Sequence, residues 1–197
     1  MSKLLKLSSW VLSLAVLALA AGCASNGTEA KAKEGHKNSQ YAANPSKVKF
    51  GEFKYVELKE TEIAPQYREK KANQQSAGKI DEMLLAGLRN VFPNIKVIPK
   101  DGQFSEAGER TLQISPSITT INLVSVGARI WWGAMAGGSD IVMHVDYRDS
   151  STGEIIANPD FWKGNNAWSG GMSWGSTDNQ IRDAVVAQIV GYTSANR

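Results

Sequence analysis

DIVMHVDYRDSSTGEIIA, residues 140–157, is the stretch that decides the fold. Ile141, Met143, Val145 and Tyr147 alternate with His144, Asp146 and Arg148, a period of two that fits a strand with one dry face. Asp149-Ser150-Ser151-Thr152-Gly153 then concentrates turn-forming residues, and Glu154-Ile155-Ile156-Ala157 returns as the second strand of a hairpin. A strand of this pattern needs apolar cover on one face only, which points to an antiparallel sheet with something packed over one side.

Working outward, Thr111 to Val124 alternates in the same way. Leu112, Ile114 and Ile118 take one face, Gln113, Ser117 and Thr119 the other, and the phase slips at Thr120-Ile121, as a β-bulge would make it. The polar loop Lys100 to Glu109 precedes it, and Ile95 to Ile98, between Pro93 and Pro99, reads as a short strand. From Gln74 to Val91 the period changes to 3.6: Ile80, Met83, Leu84, Leu88 and Val91 share one face of a helix, with Asp81, Glu82 and Arg89 off it. Val48 to Tyr55 suggests a strand bulged near Gly51, and Pro65 to Lys71 a plain connection. A last helix starts from Thr177, with Gln180 completing a capping box, and buries Ile181, Val185 and Ile189 through about Tyr192. The expected class is α+β, a largely antiparallel sheet with two helices packed on one face, after a disordered N-terminal tether.

The N-terminus supplies an address. Lys3 and Lys6 precede an apolar run from Trp10 to Ala21, which ends at Ala20-Ala21-Gly22-Cys23. A basic start, a short apolar run and small residues before a cut form a secretory signal peptide, and the run falls short of the roughly 20 residues that span a bilayer. Ala20-Ala21-Gly22-Cys23 resembles the lipobox of bacterial lipoproteins, with Leu19 four residues before the cysteine where the usual leucine stands three before. That resemblance implies acylation of Cys23, the only cysteine, and attachment through its lipid. Ala24 follows where inner-membrane lipoproteins carry aspartate, so it also implies the outer membrane. Residues 24–46 are polar and short of large apolar groups, too little surface to offset the cost of ordering. The organisation expected is therefore a signal peptide at 1–22, a lipidated flexible tether at 23–46, and a single periplasmic α+β domain at 47–197.

Charge narrows the partners. The chain carries 22 Lys+Arg against 19 Asp+Glu, and losing Lys3 and Lys6 with the leader leaves it near balance. A nucleic-acid binder would show a basic stripe, so no nucleic acid is expected.

No Gly-x-Ser-x-Gly elbow, phosphate loop or zinc-protease motif occurs, and Ser169-Gly170-Gly171 and Ser173 lack a base partner marked in the sequence. Asp140, His144 and Asp146 share a strand face and are a conceivable metal trio, but no second histidine joins them at a defined spacing, so the face reads as solvated. No enzyme, no cofactor and no metal site is expected. One stretch stands apart from the core pattern. All five tryptophans beyond the leader fall between Trp131 and Trp174, interleaved with glycines: VGARIWWGAMAGGSD at 126–140 and FWKGNNAWSGGMSWG at 161–175. Tryptophan suits core packing, and it equally suits a surface that is apolar on one side and wet on the other. On an extended segment the adjacent Trp131 and Trp132 point to opposite sides, so at most one enters the core. The expected contact patch comprises Trp131, Trp132, Trp168 and Trp174.

Arg129, Gly138-Ser139, the alternating strand, then Asp149 and Thr152-Gly153-Glu154 before a return strand, together with the terminal helix, resemble a family of Gram-negative envelope lipoproteins of unknown function. The likeness covers mainly residues 125–157. It implies an address and a fold type and no activity. The function expected is that of a non-enzymatic outer-membrane lipoprotein whose periplasmic domain binds a protein or lipid-bearing partner in envelope assembly or transport. Two alternatives stay open: a ring- or pore-forming accessory subunit of secretion, which would be a homo-oligomer, and an envelope-polymer enzyme with unmarked carboxylates.

Overall fold

The computed structural model describes residues 43–105, 109–124, 138–164 and 176–197. Seven strands form one sheet: β1 (Tyr55–Lys59), β2 (Glu62–Ile63), β3 (Ile95–Ile98), β4 (Thr111–Asn122), β5 (Asp140–Asp149), β6 (Ile155–Ala157) and β7 (Asp160–Gly164). Among the described residues three α-helices accompany it: a single turn α1 (Pro65–Arg68) and the long α2 (Lys71–Val91) and α3 (Ser176–Ala195). The strand order is β3-β1-β4-β5-β6, with β2 continuing beside β4 and β7 beside β5. The class is α+β as the sequence implies, with two long helices and a mixed sheet.

The mixture has a simple cause. α1 and α2 carry the chain from β2 back to β3, and a crossover of that length returns a strand in its original direction, so β1 is parallel to β3. β1 and β2 are also parallel to β4. The other half is antiparallel, with β4 on β5 and β5 on both β6 and β7. The bulge read at Thr120-Ile121 appears between Ile118 and Thr120.

β4 lies inside the sheet and yet contains Pro116, which has no N–H to give to a ladder. Opposite it, Val145 donates its N–H away from β4, to the Pro159 carbonyl at 3.1 Å. The Pro116–Val145 pair is therefore a non-hydrogen-bonded one, and the donor that proline lacks would point to the far side of β4. There β1 has ended, pairing last at Ile114, and β2 has not begun, pairing first at Ser117. The proline sits at the one break in its neighbour.

Both long helices contribute to one core. Ile141, Met143, Val145 and Tyr147 of β5 are fully buried, with Leu112, Ile114 and Ile118 of β4, Ile80, Leu84 and Leu88 of α2, and Ile181, Val185 and Ile189 of α3. Met83 is only partly buried and packs at the margin of this core. Phe50 stacks on Tyr147 at 4.7 Å between ring centroids. The Thr193 hydroxyl spends its proton on the Ile189 carbonyl at 2.8 Å, so the Tyr147 hydroxyl donates to Thr193 Oγ1, also at 2.8 Å. Burial pushes the ionisation of that phenol far above its ordinary range. α2 and α3 run parallel: Arg182 meets Ser76 near their starts, and Val190 meets Gly87 near their ends. A Cβ at Gly87 would lie 2.6 Å from Val190 Cγ2, so the helices approach closely only because this position is glycine.

Four local expectations are corrected. Residues Phe50–Glu52 form a 3-10 turn rather than a bulged strand: Phe50 plugs the core, and its N–H donates to the Asn196 carbonyl at 2.7 Å. Pro65 opens a helical turn, a position where its missing N–H is not needed. α2 begins at Lys71, three residues before Gln74, because its first turns bury polar Asn73 and Ser76, which apolar periodicity does not register. α3 begins at Ser176, one residue ahead of the expected cap, and runs past Tyr192 to Ala195. A fifth difference is the strand β7, which Phe161 and Trp162 form at the head of a stretch that the sequence marks only by composition.

Leu84 is fully buried while Glu82 is exposed on the same helix. Leu84→Ala should lower the unfolding free energy by about 2–5 kcal/mol, and Glu82→Ala should change it by less than about 0.5 kcal/mol. Urea titrations of both variants check this; comparable losses would mean that the wrong helix face has been turned inward.

Candidate functional site

Cys23, Trp131, Trp132, Trp168 and Trp174 all lie outside the described residues. What the structure does place is where their segments attach. Asn122 pairs with Asp140 across β4 and β5, and Asp140 pairs with Gly164 across β5 and β7. The Asn122 amide donates to Asp140 Oδ1 at 3.0 Å, and Val124 N–H donates to Ser139 Oγ at 2.9 Å. Ser139 Oγ in turn donates to Asp178 Oδ1 at 3.1 Å, tying the first turn of α3 to the same spot. The ends of β4 and β7 and the starts of β5 and α3 thus meet. Segments 125–137 and 165–175, far apart in sequence, are both attached at one end of the sheet.

That end has its own character. Because α2 and α3 are parallel, both present their N-terminal, positive dipole ends there. A cleft of about 360 Å³ lies between them, lined by Gln75, Ser76, Lys79, Leu123, Asp178 and Arg182. The Arg182 guanidinium bonds Ser76 Oγ at 3.0 Å and the Asn179 side chain. Trp162 is the one described tryptophan; it is half-buried on the face opposite the helices, beside Val142. Its ring closes on Gly164 so tightly that a Cβ there would sit 2.8 Å from it. The opposite end of the fold receives the incoming chain: Tyr192 donates to the Asn44 carbonyl at 2.8 Å, and Ser46 N–H donates to Asn196 Oδ1 at 2.9 Å. Between the two ends runs the 20-residue α3, about 30 Å long.

The sheet face away from the helices is polar. The metal trio considered from sequence does not assemble: Asp140 engages Asn122, while His144 bonds Asp146 through Nε2 at 3.1 Å and Asp160 through Nδ1 at 2.7 Å. Asp160 was invisible as a partner because β7 was not legible as a strand. Among the described residues no three histidine, cysteine or acidic side chains are placed to hold a metal ion.

Glu57 is a carboxylate on β1 that is only 3% exposed. It accepts the Ser105 N–H at 2.9 Å, the Ser105 hydroxyl and the Lys96 ammonium at 3.1 Å, and it borders a cleft of about 280 Å³ with Tyr55 and Asn94. Burial alone would raise its pKa; the Ser105 and Lys96 bonds outweigh burial and hold it below the ordinary carboxylate range. The Ser105 hydroxyl and the Lys96 ammonium both donate to this carboxylate, which ties the three into one cluster. Its work is mechanical: it fastens the loop after β3 to the sheet. Asp149 does the same at the hairpin turn. It is 2% exposed and accepts Ser151 N–H and Oγ and Arg110 Nε, while Gly153 takes the positive φ of 72° that closes the turn.

No protein-family model matches this sequence, and no curated protein matches it. Solved structures of similar outline include the PelC dodecamer from Paraburkholderia phytofirmans, at 9% identity over 77% of this chain and 96% of that one, TM-score 0.47. A Xanthomonas campestris protein of the DUF330 family matches at 9% identity over 72% of this chain and 84% of that one, TM-score 0.46. A minor lipoprotein from Acinetobacter baumannii matches at 11% identity over 74% and 95%, TM-score 0.32. These are likenesses of outline, and they assign this chain neither a family nor an activity.

Glu57 stabilises the fold above the ordinary glutamate pKa, and that contribution is lost as pH falls through its depressed folded value. Glu57→Gln should therefore cost about 1–3 kcal/mol near neutrality, with the gap to the parent closing below about pH 4. Denaturant midpoints of the two proteins across that range check it; a gap that persists in acid would locate the effect in packing rather than charge.

Proposed function

We propose that this chain is an outer-membrane lipoprotein, acylated on Cys23, whose domain binds a protein or lipid-bearing partner of the cell envelope without acting as an enzyme. The observation that carries the reading is that the described residues flanking 125–137 and 165–175 meet at one end of the sheet. Four of the five tryptophans beyond the leader belong to those two segments. The incoming chain joins the domain at the other end of α3.

Support for a non-enzymatic role is chemical. The polar cluster of Glu57, Ser105 and Lys96 holds a loop, and the sequence marks no nucleophile with a base. Among the described residues no helix is long and apolar enough to cross a membrane, which leaves the lipid as the proposed attachment.

Two substitutions test the reading. Cys23→Ser should abolish labelling by radioactive palmitate and move the protein to the soluble periplasmic fraction. Alanine at whichever of Trp131 and Trp132 faces outward should leave the thermal midpoint nearly unchanged while weakening co-purification with envelope proteins or binding to liposomes; alanine at the inward one should cost about 3–5 kcal/mol. Strong destabilisation by both, with binding intact, would make the tryptophans core residues and remove the contact surface.

A further inference from the structure

His144 stands on the open sheet face, opposite Asp160 in the register of β5 and β7, with Asp146 two residues along its own strand. Its two ring nitrogens meet two different carboxylates, Nδ1 at 2.7 Å from Asp160 Oδ1 and Nε2 at 3.1 Å from Asp146 Oδ1. A neutral imidazole has one N–H, so one of these contacts would set a lone pair against a carboxylate; only the imidazolium donates at both. We propose that His144 is a proton-operated clamp that fastens β7 to β5 when charged and releases its grip when neutral. The proposal rests on this geometry and is independent of the function proposed above.

Among the described residues the surroundings supply no substitute cation. On β5, Asp140 and Arg148 share the face, each four residues away, and Arg148 is engaged with the Gly153 carbonyl at 2.6 Å. On β4, the residues nearest are Ser115 and Ser117, neither charged, and Ser117 Oγ donates to the His144 carbonyl at 3.3 Å. On β7, Trp162 lies on this face, and Lys163 pairs with Ile141, whose side chain is on the core side. β6 carries no titratable group. Loss of the proton therefore leaves two carboxylates around an uncharged ring. β7 is a five-residue strand tied to the fold by its ladder to β5, by the buried Phe161 and by the bond from Gln188 Nε2 to the Trp162 carbonyl at 3.2 Å, and its docking is where the change should be read. Partial burial works against the charged ring, but the hydrogen bonds to Asp160 and Asp146 outweigh it and hold the imidazole above its ordinary value. The sign follows: the clamp is fully closed below the ordinary histidine pKa and is lost as pH rises through the higher folded one.

The test uses the full chain in detergent, with the His144 ring followed by NMR and amide exchange at Phe161 and Lys163 expressed as protection factors through the same titration. The expected result is a raised His144 pKa and protection in β7 that falls as pH passes through it, about tenfold for each unit by which the imidazole is raised. Amides of α2 should keep their protection throughout. His144→Gln should flatten the pH dependence of β7, and Asp160→Asn should lower the His144 pKa. An imidazole that titrates at or below its ordinary value, or β7 protection that ignores pH in the parent protein, would overturn the proposal without any variant being needed. Equal pH dependence in His144→Gln would overturn it too.

Discussion

The constraint on which the rest depends is that β5 is paired along both its edges. β4 lies against it through nearly its whole length on one side, and β6 and β7 divide the other. A strand so enclosed has one free choice, which of its faces meets the helices, and a slip of one residue would reverse it. The slip would be expensive. It would carry Ile141, Met143, Val145 and Tyr147, all fully buried, to the polar side, and would bring His144, Asp146 and Arg148 under α3. Tyr147 adds a second lock, because its ring stacks on Phe50 and its hydroxyl must find Thr193. Register in β5 thereby also places the 3-10 turn before β1 and the last turns of α3.

Sequence made the repetitive part of this fold legible and hid the singular part. The alternation at 140–147 and 111–122, the bulge near Thr120, the hairpin turn at Asp149–Gly153 and the apolar stripes of α2 and α3 all arise from short-range rules and are present as read. Parallel pairing of β1 with β3 and β4 follows from the path of the crossover, which no local period encodes. The turn at Phe50–Glu52 was hidden because apolar residues at 50 and 53 fit a strand as well as a turn that plugs the core. β7 was hidden because its inward residues amount to Phe161 alone, flanked by a charge and a tryptophan. For the candidate site, composition pointed at two glycine- and tryptophan-rich stretches and could not say that they share an end. Sheet register supplies that, through Asp140, which pairs with both Asn122 and Gly164.

The two edges of the sheet are closed by different means, and both matter for what the open surface can be used for. At the β6–β7 edge the incoming chain donates Lys47 N–H to the Ile156 carbonyl, and Gln188 reaches down from α3 to the Trp162 carbonyl. Such an edge offers few groups to an approaching strand. At the other edge β3 is four residues long and ends at Pro99, with Lys96 turned to Glu57 and Val97 the one apolar side chain left substantially exposed. Short length, a proline and a lysine are the usual defences of an edge. Neither margin invites extended pairing, which shifts attention to the ends of the sheet rather than its sides.

Of the two ends, one is occupied. At the C-terminal end of α3, Asn44 and Ser46 are hooked by Tyr192 and Asn196, and Phe50 N–H donates to the Asn196 carbonyl, so the backbone polar groups there are spent on holding the incoming chain. At the other end the described groups are spent on one another, Asn122 with Asp140 and Ser139 with Asp178, in bonds that join four separate elements. Those bonds hold together the described residues that flank 125–137 and 165–175. Core packing in β5, the register it enforces and the bracing at Asp140 are thus successive consequences of one strand's alternation. The same strand's outer face supplies His144, whose proton governs how firmly the neighbouring β7 is held.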